Sequence, residues 1–183
     1  MLNPAQQAVI KAFIAADPFL DGQGADGDSL NVIRDALNAP FSPAFSVWRS
    51  STTGASLANC IIWANLTPAD SPTGTSTFTN QALVCQAKQI NLQILLQGQS
   101  SVATKNANIR QGFQDALTNV PSGASGALQP AGWVACKVAM TRLATVAEKL
   151  LATGTGTGTP ANPADLGYEG NLTSNDVDAA RRS

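Results

Sequence analysis

Histidine is absent from these 183 residues. With it go the commonest general base and the commonest metal ligand. Glutamate occurs only as Glu148 and Glu169, too far apart in sequence to suggest a carboxylate pair. Charged side chains make up 13% of the chain, about half the usual share. The formal net charge of −1 exerts no long-range pull on nucleic acid or on an acidic membrane. A basic DNA binder is excluded, while passive contact with DNA in the lumen of an assembly is not. Cys60, Cys85 and Cys136 stand singly in apolar segments, too few and too scattered for a disulfide framework or a zinc site. Buried free thiols in a reducing cytosol are the expected state.

Signature motifs are missing as well. No serine occupies a Gly-x-Ser-x-Gly elbow. The run Gly154-Thr-Gly156-Thr-Gly158 follows a helix rather than a strand, lacks lysine and has the wrong glycine spacing for a phosphate loop. The reading is therefore of a chain that is not an enzyme, with no catalytic residue, cofactor or metal. Apolar runs are far short of a membrane span, and the first residues lack the basic and apolar pattern of a signal peptide. No membrane association is expected, and the sequons at Asn65 and Asn171 read as chance.

What is present is 44% apolar residues and a wealth of Gln, Asn, Ser and Thr, a neutral polar surface that leaves room for wide contacts with other subunits. The chain reads as mainly α, a bundle of about six helices. Asn3 before Pro4 starts the first, with Ala8, Val9, Ala12, Phe13 and Ala16 on its apolar face. The acidic loop from Asp21 to Asp28 does not fit an EF-hand, because Val32 stands where the bidentate glutamate belongs. It reads as a solvated turn. Asp28 or Ser29 then caps a helix to Asn38 with Leu30, Ile33, Ala36 and Leu37 inward. Two prolines make Pro40–Arg49 extended. Within it Phe45, Trp48 and Arg49 are candidates for a core anchor or an interface hot spot.

A third helix spans about Ala55 to Ala64, with Leu57, Cys60, Ile61 and Ile62 inward. Thr67 to Thr79 reads as an exposed loop and a candidate insertion. A fourth helix, Asn80 to Gln97, is the most regular. Leu83, Ala87, Ile90 and Ile94 form its stripe, widened by Val84, Asn91 and Leu95, with Leu92 and Leu96 off that face. Apolar residues on more than one side place such a helix centrally in a bundle or in an oligomer. Asn106 to Val120 follows with Ile109, Phe113, Ala116, Leu117 and Val120. A Gly/Ser loop precedes the last body helix, Pro130 to Ala152, with Val134, Val138, Leu143, Val146 and Leu150.

Residues 1–152 are thus read as a helical body and 153–183 as a long extended C-terminal arm ending in a short helix. From Thr153 to Thr173 the arm would reach at most ~70 Å. Alternating Gly and Thr puts hydroxyls on one side of an extended chain and bare backbone on the other. Leu166, Tyr168, Leu172, Val177, Arg181 and Arg182 are the candidate docking residues. Thr173 or Ser174 would cap the final helix, with Asp176 at its start and the arginines at its end, matching the helix dipole.

Two stretches carry a resemblance. One is Ser42-Pro-Ala-Phe45-Ser-Val-Trp-Arg49. The other runs from Glu148-Lys-Leu-Leu-Ala-Thr-Gly-Thr-Gly-Thr through Pro163-Ala-Asp-Leu-Gly-Tyr-Glu-Gly170 to Asp176-Val-Asp-Ala-Ala-Arg181. With the opening helix, they resemble a family of small proteins encoded among the virion genes of tailed bacteriophages. The likeness covers about the first fifty and last forty residues, and the middle, about Gly54 to Gly126, is unmatched. It implies a virion component of the head-to-tail connector, assembled in the bacterial host cytoplasm. By analogy with adaptor proteins beneath phage portals, it also implies a homo-oligomeric ring matching the portal, with portal and tail or nozzle proteins as partners. Tail-completion, terminator and head-decoration proteins of the same virion, or a monomeric binding module, are the alternatives.

Overall fold

The computed structural model describes residues 1–67, 80–122 and 127–183. The described residues are mainly α. In chain order they form α1 (Pro4–Ala16), α2 (Pro18–Asp21), α3 (Gly27–Asn38), β1 (Ser46–Trp48), β2 (Thr52–Thr53), α4 (Gly54–Cys60), α5 (Trp63–Leu66), α6 (Asn80–Leu96) and β3 (Ser101–Val102). Then come α7 (Ala107–Leu117), β4 (Val120–Ser122), β5 (Ala127–Gln129), α8 (Trp133–Ala139), β6 (Thr141–Leu143), α9 (Val146–Leu150) and α10 (Ser174–Arg182). The chain divides into two compact units. Unit 1 joins Met1–Trp48 to Arg142–Ser183, and unit 2 is Arg49–Thr141. Packing therefore draws no boundary at residue 152.

Unit 1 is built from capped helices. The Asn3 side chain accepts the Gln6 N–H while the Gln6 side chain accepts the Asn3 N–H, and Pro4 opens α1, so two orphan donors of the first turn are satisfied reciprocally. Ile10 and Ile14 are its buried residues, and Val9 lies exposed. The inward face is rotated from the expected one because isoleucines at i and i+4 bury more apolar area than the alanines beside them. Asp26, not Asp28 or Ser29, caps α3 by accepting the N–H groups of both. Ile33 and Leu37 are buried as expected, with Leu30 and Ala36 packed beside them. Thr173 and Asp176 form a second reciprocal cap at α10, which buries Val177 and Ala180. These three helices share one core with Leu20, Ala147, Leu151 and Leu172.

The extended arm is thus a correction. Leu172, Val177 and Ala180 fill the core of their own chain. The Thr/Gly run does not extend either: Gly154, Gly156 and Gly158 have φ of 83°, 80° and 73°, left-handed values that turn the chain at every second residue. Thr157 and Gly158 both donate their N–H to the Asn162 carbonyl at 3.0 Å, and Asp165 N–H reaches the Thr155 carbonyl at 3.2 Å. Gly158 lies where a Cβ would strike the Phe45 ring. Glycine permits both extended and left-handed backbone, so its sequence signature cannot tell a spacer from a coil.

Unit 2 departs further from expectation. The expected third helix breaks into α4 and α5 at Ile61 and Ile62, where Ile62 donates its N–H to the Ala131 carbonyl at 3.0 Å. The Thr67–Thr79 loop lies outside the described residues beyond Thr67. α7 buries Arg110, Phe113, Ala116 and Leu117, and Val120 is buried in β4, which pairs antiparallel with β5. The single helix expected from Pro130 to Ala152 is instead α8, β6 and α9. Thr141–Leu143 leaves the helical path as β6, Ala144 N–H donating to the Phe45 carbonyl at 2.9 Å, and helix resumes at a capping box on Thr145, whose side chain accepts the Glu148 N–H while Glu148 accepts the Thr145 N–H.

Because Leu172 is 2% exposed in a core shared with α1 and α3, Leu172→Ala should cost about 3 kcal/mol. Urea unfolding followed by circular dichroism measures it, and ending the chain at residue 152 should abolish the unit 1 transition altogether.

Candidate functional site

The expected docking residues lie along a strap, Ala164–Leu172, and the helix that follows it. Its path is fixed by hydrogen bonds to its own unit. Gln6 Nε2 donates to the Gly167 carbonyl at 2.9 Å. Asn38 clamps Leu172 in both directions, donating to its carbonyl at 2.9 Å and accepting its N–H at 2.8 Å. Leu166 and Tyr168 are half-buried, Tyr168 donating its hydroxyl to the Asn171 carbonyl at 3.0 Å. Arg181 donates to the carbonyls of Gln23 and Gly24, which ties the acidic loop to α10. Arg182 is exposed and pairs with Asp178 at 2.9 Å.

Glu148 is the polar centre of this unit. It is 1% exposed and accepts two hydrogen bonds from Arg142, at 2.5 and 2.6 Å, the Thr145 N–H at 3.0 Å and the Gly170 N–H at 2.9 Å. Arg142 also reaches Glu169 at 3.3 Å. Burial pushes the Glu148 carboxyl up, but the hydrogen bonds from Arg142, Gly170 and Thr145 outweigh it and hold it below the usual carboxylate range. With its oxygens occupied by donors, this group acts as a clamp between α9 and the strap. Sequence reading passes over it, although Thr145-x-x-Glu148 is a legible capping signature.

Of the possible anchors, Phe45 and Trp48 are half-buried and Arg49 is exposed. Phe45 meets Phe41 edge-on at 6.2 Å, and the Lys149 ammonium lies 5.6 Å from the Phe41 ring and 5.1 Å from the Phe45 ring, a cation–π arrangement. Trp48 N–H donates to the Ala164 carbonyl at 3.0 Å. Arg49, in unit 2, donates to the Thr141 carbonyl at 3.0 Å. The segment from Phe45 to Trp48 is a packed part of unit 1.

In unit 2 the notable surface is α6. Cys85 and Leu92 are buried, whereas Leu83, Ile90 and Ile94 are 52%, 53% and 66% exposed. Of the two places open to this helix, the centre of a bundle or an oligomer, the centre is not taken by its stripe, which faces outward. Lys88 sits on the inner side and donates to the carbonyls of Asp115 and Thr118, supplying a cation at the end of α7. Beside this face, Ala58, Trp63, Gln93, Leu96 and Gln97 line a shallow groove of about 500 Å³. Val134 and Val138 on α8 are exposed as well. Among the described residues no group of three or more His, Cys, Asp or Glu is placed to hold a metal ion, and no helix is long and apolar enough to cross a membrane.

The cysteines are less isolated than their spacing suggests. Burial and the neighbouring Cys60 thiol push the Cys136 thiol up to about 12, and burial raises Cys85, whose thiol points at the Leu66 carbonyl at 2.8 Å. Comparison with protein-family models, curated proteins and solved structures finds no match for this chain.

Glu148→Gln should cost about 3 kcal/mol at pH 7, the usual penalty for breaking a buried pair. A carboxyl held below its ordinary value contributes stability above the unfolded pKa and loses it as pH falls through the folded one. Wild type should therefore lose stability below the ordinary carboxyl value of 4.5, and E148Q less steeply, in thermal melts across pH. Cys136 and Cys85 should resist alkylation in the native protein and react once denaturant is added, as read by peptide mass spectrometry.

Proposed function

We propose that this chain is a structural subunit of a tailed-bacteriophage particle, a head-to-tail connector that forms a ring beneath the portal. The reading is supported by where the resembling residues fall. Except for Arg49, the stretches that resemble phage virion proteins lie in unit 1, while the unmatched middle lies in unit 2. A likeness that follows a folding unit is what a shared scaffold carrying an inserted second unit produces.

In the free chain Leu166, Tyr168, Leu172, Val177 and Arg181 are engaged by their own unit. In this proposal they reach a neighbour by exchange. The segment 153–183 leaves one subunit and fills the same site on the next, with the glycine turns at 154, 156 and 158 as the hinge. Exchange of an identical element remakes the contacts it breaks, so it costs little at equilibrium, and a head-to-tail exchange closes a ring when the rotation allows. Arg182, exposed at the end of α10, is left to contact the portal. Repetition around the ring adds the modest contacts together.

Mixing the full chain with portal rings from the same particle tests this. A symmetric complex at portal stoichiometry, with residues 153–183 of each subunit on its neighbour in a reconstruction, is expected. A one-to-one complex with a soluble protein would favour a binding module, and attachment to the capsid shell or tail end alone would favour a decoration or tail-completion protein.

A further inference from the structure

The outward stripe of α6 has the chemistry of an interface. At about 100° per residue, Leu83, Ala87, Ile90 and Ile94 lie on the side of the helix opposite Cys85 and Leu92, the buried pair. Their 4-3-4 spacing is that of a coiled-coil seam. The residues flanking it, Gln86, Gln93 and Gln97 on one edge and Val84, Asn91 and Leu95 on the other, carry no charge. Lys88, the one charged residue of the helix, is turned away onto the carbonyls that end α7. Among the described residues of α6, none on this face carries a charge that would select a charged partner or repel an identical one.

The pattern is also self-complementary. Positions 83 and 94, and 87 and 90, are symmetric about the midpoint between Lys88 and Gln89. When two copies of α6 pair antiparallel about a two-fold axis there, Leu83 of each meets Ile94 of the other. Ala87 of each meets Ile90 of the other, small against large, the alternation that lets helices interdigitate. We propose that this seam joins two copies of the chain in an isologous antiparallel α6 pair. The seam is only about 16 Å long at 1.5 Å per residue, short for a contact that must cover about 800 Å² per partner. Trp63, 44% exposed at the adjoining groove, extends the apolar area within the same unit. The contact is reversible at this size. It does not rest on the connector reading, because a two-fold contact uses this face once and leaves ring closure to unit 1.

Sedimentation equilibrium of the full chain, without portal, tests the pair. The apparent mass should rise with concentration from 18.8 kDa towards twice that value. Ile90→Glu, at an exposed position, should keep the wild-type circular dichroism and weaken association by at least about tenfold, since it buries an unpaired carboxylate. Ala87→Lys should do the same. An equimolar mixture of the two variants should associate again, because the antiparallel register sets the introduced ammonium of one copy against the introduced carboxylate of the other. Ile94→Lys serves as the probe if I90E perturbs folding. A wild-type chain that stays monomeric, a variant that associates as strongly as wild type, or a mixture that fails to recover would overturn the proposal. Failure to bind a portal would sink the connector reading and leave this one standing.

Discussion

The burial of the last helix against the first holds unit 1 together. Val177 and Ala180 of α10 share a core with Ile10 and Ile14 of α1 and Ile33 and Leu37 of α3. Residues at opposite ends of the sequence therefore meet, and the closure entropy of so long a loop must be offset by what they bury. The polar contacts follow the same logic. Asn38 holds the backbone of Leu172, and Glu148 holds that of Gly170, so the strap that delivers α10 satisfies its polar groups within the unit.

Unit 2 interrupts this closure in sequence, and its own polar centre is neutral and cationic. Buried Thr104 donates to the Arg49 carbonyl at 2.8 Å, and Arg110 donates to the carbonyls of Thr104 and Lys105 at 3.0 and 2.8 Å. Scarce charges thus go to backbone carbonyls, from Lys88, Arg110 and Arg181 alike. Among the described residues of unit 2 the exposed charges are few, Arg49, Lys105 and Asp115, and the rest of that surface is neutral amides, hydroxyls and aliphatic groups, on which electrostatics imposes little selectivity and shape has to provide it.

Much of the local structure is legible in the residues. Asn3-Pro4, Thr173-x-x-Asp176 and the inward residues Ile33 and Leu37 are short-range matters of capping and period, and they hold. The failures share a cause. On α6 the period is correct and the direction stays open, because a helix with apolar residues on two sides does not say which side the rest of the chain covers. At Pro130–Ala152 an apolar period masks a capping box. In the final segment few large apolar residues suggest an arm, yet Leu172 and Val177 complete a core whose other side chains come from distant parts of the chain, α1 and α3 among them.

Caps, period and composition act over a few residues, and they are enough to establish that the chain is mainly helical, where most helices start, and that its surface carries little charge. Long-range packing alone settles that the ends form one unit with the middle as another, that Glu148 is the buried clamp, and that the stripe of α6 looks outward. Each of these depends on which distant surface covers an apolar face, a competition between contacts that no local pattern records.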